Sequence, residues 1–187
     1  MPQSAIGHVE FSFTSCLRPW ERDPETYWME VTGKIMVPPD EAPDDANPEP
    51  AGEIKMVLVR AAEARNDEVS LFAVFDSYLQ DLHDVYRALF DADEEIKPDL
   101  GIEFAHEVLW VPSLTLVPRH QQTGLAAQVI QTAASALVTM GIVAADADLP
   151  LTLDDWLDLG FHKIAGAKAF YVWDRTFKNR YGRKPEL

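Results

Sequence analysis

The residues best suited to chemistry lie in one run: Leu114-Thr115-Leu116-Val117-Pro118-Arg119-His120-Gln121-Gln122-Thr123-Gly124-Leu125-Ala126. An apolar strand ends there, Pro118 turns the chain, and a helix opens at a glycine. A helix start of this kind points unpaired backbone N–H groups outward at the positive end of the helix dipole. That makes it a ready anion site, and a diphosphate is its usual occupant. Gly124 and Ala126 are small, so a phosphate could approach the amides closely. Other phosphate and metal patterns fit worse. The chain has no GxxxxGK[ST] and no GxGxxG after a strand, and His106-Glu107 lacks the second histidine of HExxH.

The elements that must position this run are legible from periodicity. Val9, Phe11 and Phe13 alternate with polar residues as in a half-buried strand. Residues 27–37 read as extended, with a break or bulge at Gly33, and residues 54–59 as a central strand. Between them, residues 38–53 hold five prolines and six acidic residues, which predicts a surface loop. Leu71, Phe72, Phe75, Tyr78, Leu79, Leu82, Val85, Tyr86 and Leu89 recur at steps of three and four, which predicts one long amphipathic helix over 67–90. An acidic loop follows over 91–101; its acids suggest calcium, but Ile96 stands where an EF-hand loop needs glycine. Residues 107–117 form a strand whose Pro112 predicts a bulge or interruption. Next come a helix over 123–140 ended by Gly141, a short strand over 142–145, and a short helix over 151–159 capped by Thr152. Strands over 161–164 and 167–173 close the domain, and a basic tail spans 175–187.

A length of 187 residues, 47% of them apolar, suits a single domain over 1–187 with a substantial core. The net charge of −15 argues against nucleic acid and anionic membranes as partners and leaves room for a cationic acceptor. Cys16 is the only cysteine, so it reads as a packed thiol in a reducing, cytoplasmic setting. The first residues carry no secretory pattern. Residues 120–145 hold no Asp, Glu, Lys or Arg, but the glutamines at 121, 122, 128 and 131 and Gly141 favour a buried helix and strand over a membrane span.

Gln121-x-x-Gly124-x-Ala126, preceded by Val117-Pro118, resembles the [QR]-x-x-G-x-[GA] motif of the GNAT (N-acetyltransferase) superfamily. Leu159-Gly160-Phe161 resembles the family's LGF turn, and the likeness covers about 107–173. The resemblance implies an α/β (α+β) fold: a mixed, mostly antiparallel central sheet flanked by helices, with a splayed and bulged strand. It implies acyl transfer from acetyl-coenzyme A to a small-molecule or protein amine, with no metal. Homodimers are common in such domains. Leu116 and Val117 would pair with pantetheine, and Gln121, Gln122, Thr123, Gly124, Leu125 and Ala126 would cradle the diphosphate. Glu107 is the general-base candidate, weighed against a plain surface carboxylate. Three positions depart from the family pattern. Gln122 replaces a frequent glycine, Trp156 stands at the position of a frequent acidic tyrosine, and no asparagine follows the 142–145 strand. Tyr171 is a substitute acid or a packing residue; His106, His120 and His162 read as structural or exposed. A non-catalytic coenzyme A-binding module is the alternative.

Overall fold

A computed structural model describes residues 8–15, 23–39, 47–78, 80–121, 123–164 and 170–174. Seven strands form one sheet in the order β1-β2-β3-β4-β5-β7-β6. They are β1 (His8–Ser15), β2 (Trp28–Val37), β3 (Glu49–Val59), β4 (Glu107–Leu116), β5 (Gly141–Asp146), β6 (His162–Ile164) and β7 (Phe170–Asp174). Every neighbouring pair is antiparallel except β4–β5. Among the described residues five α-helices accompany them: α1 (Ala61–Asn66), α2 (Leu71–Asp76), α3 (Gln80–Leu89), α4 (Leu125–Leu137) and α5 (Leu153–Asp158). The fold is therefore mixed α and β around a mostly antiparallel sheet.

The helices cover both faces of that sheet. Leu109, Val111, Val143 and Ala145 share one core with Leu125, Val129, Ile130 and Trp156 of α4 and α5. Val108, Trp110, Ile142 and Ala144 share the other with Leu71, Phe75, Leu82 and Leu89 of α2 and α3. Adjacent strand residues point to opposite faces, so a strand covered on both sides must be apolar at every position. All six residues of β5 are buried for this reason.

The register of β3 against β4 slips by one. Lys55 faces Ser113, while Val57 faces Trp110. Two residues of β4, Val111 and Pro112, therefore share Met56, which is the geometry of a β-bulge. The slip inverts the alternation beyond it. Leu114 and Leu116 consequently join Leu109 and Val111 on the α4 side of the sheet. Pairing with β5 also ends here, at Val111↔Ala145.

Several elements differ from the sequence reading. The helix expected over 67–90 is two helices, α2 and α3, preceded by the unforeseen α1. Strand β2 causes the break: Trp28 Nε1–H donates to Ser77 Oγ at 3.0 Å, and Tyr78 O–H donates to Glu30 at 2.6 Å. The loop expected over 38–53 ends early, since β3 already runs from Glu49. Its paired residues hold the backbone extended despite Pro50. Gly33 pairs in regular register; the irregularity of β2 falls at Ile35/Met36, opposite Pro50–Gly52. The helix expected over 123–140 is the shorter α4, because Gly124 is left-handed (φ 74°) and Val138 is extended. Residues 40–46, Cys16 and the tail over 175–187 lie outside the described residues.

Candidate functional site

The turn from β4 to α4 is built from inside. Pro118–His120 forms a single 3-10 turn. The His120 N–H donates to Val117 O at 2.9 Å, and Thr123 Oγ–H donates back to His120 O at 2.9 Å. Gln121 Nε2–H donates to Leu116 O at 3.1 Å and ties the turn to the end of β4. Gly124, the N-cap of α4, has no side chain to cap the helix. The first bond of α4 is Gln128 N–H to Gly124 O, at 3.3 Å. The N–H groups of Leu125, Ala126 and Ala127 precede it, and the first turn carries no acidic residue to meet the dipole.

Gly124 and Ala126 border a cleft of about 320 Å3, lined also by Gln121, Pro150, Thr152 and Asp155. Its far wall is the start of α5. There Thr152 and Asp155 form a capping box, with Asp155 accepting from the Thr152 N–H at 2.8 Å and from Thr152 Oγ–H at 2.7 Å. The Asp155 charge is thereby directed into its own helix start.

The open edge of β4 leads toward the cleft. The Val117 N–H donates to Ala51 O at 2.8 Å, so Ala51 and Val117 are a hydrogen-bonded pair. Antiparallel ladders alternate, so Leu114 and Leu116 turn their N–H and C=O groups away from β3. No strand pairs with β4 on that side beyond Val111 among the described residues. The N–H of Leu116 and both groups of Leu114 lie along this uncovered edge, while Gln121 occupies the Leu116 carbonyl.

Of the residues singled out from sequence, the structure brings together Leu116, Gln121, Thr123, Gly124, Leu125 and Ala126. Val117 adjoins them, but its N–H is spent on β3. Gln122 lies outside the described residues. Glu107 is elsewhere. It faces Gly141 at the opposite end of β4, and its carboxylate accepts the Met140 N–H at 3.1 Å. That position is about 13 Å along the strand from Val111, at ~3.3 Å per residue.

The LGF turn has a concrete geometry. Gly160 is left-handed (φ 84°); its N–H donates to Leu157 O at 3.0 Å, and the Phe161 N–H donates to Trp156 O at 2.9 Å. This is a Schellman motif ending α5. Its customary apolar contact is present: the Trp156 and Phe161 rings meet edge-on, 5.0 Å apart. Trp156 is only 2% exposed, a core residue.

No protein-family model, curated protein or solved structure matches this chain. Among the described residues no group of three or more His, Cys, Asp or Glu is placed to hold a metal ion. No described helix is long and apolar enough to cross a membrane.

One residue near the site escaped the sequence reading. Asp146 ends β5, directly after the Ala145 that pairs with Val111, and is only 7% exposed. Its Oδ1 accepts the Asp148 N–H at 3.0 Å, and its backbone oxygen accepts the Leu149 N–H at 3.3 Å. The sequence carries its signal as a carboxylate closing the apolar run 142–145.

Proposed function

We propose that this chain is an acyl-coenzyme A-dependent N-acyltransferase of the GNAT type, transferring acetyl from acetyl-coenzyme A to an amine in the cytoplasm. The observation that carries the reading is the continuity of two features. The uncovered edge of β4 at Leu114 and Leu116 runs into an uncapped helix start at Gly124, beside a cleft. An amide-bearing arm such as pantetheine suits the first, and a diphosphate suits the second. In the reaction the amine nitrogen would bond to the acyl carbon as the C–S bond breaks. The amine gives up a proton and the departing thiolate gains one.

The proton acceptor in this reading is Asp146 in preference to Glu107. Asp146 stands where β4 and β5 cease to pair, whereas Glu107 stands where they are fully paired and receives the Met140 N–H. Trp156 favours a second reading, a coenzyme A-binding module without turnover. It fills the core where the family's acid would stand and has no hydroxyl to donate. Titration calorimetry with acetyl-coenzyme A tests both readings; absence of heat at several hundred micromolar ligand overturns both. Thiol release with a panel of amines then separates them.

A further inference from the structure

We propose that the outer face of α5 is the docking surface for the chain's own residues 175–187, independently of the coenzyme A reading above. Helix α5 turns Trp156 inward, 2% exposed, and leaves Leu153 and Leu157 63% and 62% exposed. The two leucines stand four residues apart, so they lie side by side on one face of the helix. Asp154 and Asp158, also exposed, follow each of them on the same outward side. Single exposed leucines are ordinary, but an apolar patch rimmed by charge marks an interaction surface. Here the rim is wholly acidic, because α5 carries no basic residue. The occupant such a face fits is apolar and cationic.

Residues 175–187 have that chemistry. Arg175, Lys178, Arg180, Arg183 and Lys184 stand there against a single acid, Glu186, in a chain of net charge −15. Phe177 and Tyr181 are interleaved among them. The fold fixes where this segment starts, since β7 ends at Asp174. The preceding Trp173 meets Phe161 with ring centroids 5.6 Å apart, and its Nε1 lies 3.4 Å from where a Cβ on Gly160 would stand. Gly160 and Phe161 close α5, so the chain leaves β7 beside that helix's C-terminal end. From Gly160 back to Leu153 is about 10 Å along the helix. Phe177 and Tyr181 stand three and seven residues past Asp174, about 10 and 23 Å of extended chain. Both rings can therefore reach the leucines. A second copy docked here about a two-fold axis would instead set Asp154 and Asp158 against their own counterparts, and those like charges repel.

Two measurements on the full-length protein test this. Trypsin cleaves after Lys178 and Arg180, and a docked segment is cut only when it lifts off. Leu153→Ser/Leu157→Ser leaves those cleavage sites unaltered and should speed cutting there about tenfold or more. Its melting temperature should stay near wild type, because both side chains are exposed. Leucine methyl spectra give the reciprocal test. In wild type the Leu153 and Leu157 signals should be displaced by the ring currents of Phe177 and Tyr181. They should move in Phe177→Ser/Tyr181→Ser, which leaves α5 itself unaltered. Equal cleavage rates, or methyl signals that stay in place in that tail variant, overturn the proposal. Methyl signals that move on dilution, with a dimer in sedimentation, assign the face to a second copy and overturn it as well.

Discussion

Gly124 combines two roles that a single substitution can separate. Its φ of 74° excludes most side chains, but a Cβ added there meets nothing within 4 Å. A substitution therefore strains the backbone without a clash and projects into open space beside the cleft. Gly124→Val should lower stability by about 1–2 kcal/mol, the usual cost of forcing a branched residue into the left-handed region. It should also abolish acetyl-coenzyme A binding; a thermal melt and calorimetry on one sample check both. Gly124→Asn, which tolerates that conformation, should keep the fold. The two carboxylates of β4 and β5 make a second comparison. If Asp146 takes the amine proton, Asp146→Asn should slow thiol release by about a hundredfold or more while leaving acetyl-coenzyme A affinity within about threefold. Glu107→Gln should leave the rate near wild type, because that carboxylate serves the Met140 N–H. Steady-state kinetics on both variants decides between them.

Among the elements, α2 depends on a residue far from it in sequence. Glu94 accepts from the N–H groups of Leu71 (2.7 Å) and Phe72 (3.2 Å) and from the Ser70 hydroxyl. It holds this pose at a positive φ of 61°, where its carbonyl accepts from Arg65 at 2.6 Å. Burial pushes the Glu94 carboxyl up, but the Ser70 and backbone hydrogen bonds and the Arg65 charge outweigh it and hold it below the ordinary 4.5. A depressed carboxyl contributes stability that is present above its unfolded value and lost as the pH falls through its folded one. Wild type should therefore lose stability below about pH 4.5. Glu94→Gln should flatten that dependence and cost about 1 kcal/mol at neutral pH, read from urea melts. The same region shows where sequence reading stopped. The apolar stripe of α3 was plain at helical spacing, yet the stripe continued through 71–89 as though unbroken. The break is imposed by Trp28 and Glu30 of β2, some fifty residues away, and local periodicity carries no trace of them. By contrast, Pro118, Gly124, Thr152 and Gly160 act through their own backbone or their nearest neighbours. The turn and the Thr152 cap of α5 were legible for that reason.

Across the whole molecule, protection should follow the burial of the sheet's centre. Strand β5 is buried at all six positions, whereas β1 lies at one edge of the sheet. Hydrogen exchange should leave the amides of β5 and of Val108–Val111 among the last to exchange and those of β1 among the first; fast exchange in β5 would contradict the layering of the two cores. The central strands were readable as unbroken apolar runs, but their order in the sheet was not, because pairing partners are chosen by the crossover of α4 and the return of β7. The Glu107–Val111 pairing with Gly141–Ala145 has a consequence in time as well as in space. Among the described residues it is the one parallel junction, and it joins a ladder of β1 to β4 to the later trio of β5, β7 and β6. A parallel partner cannot be reached by a hairpin, so this junction must wait for the α4 crossover. The N-terminal meander of β2 and β3 closes a shorter loop and can pair early. During synthesis the growing chain would hold β4 with one side unpaired until β5 emerges. The edge proposed to dock pantetheine is the stretch of that side which β5, on arriving, leaves uncovered.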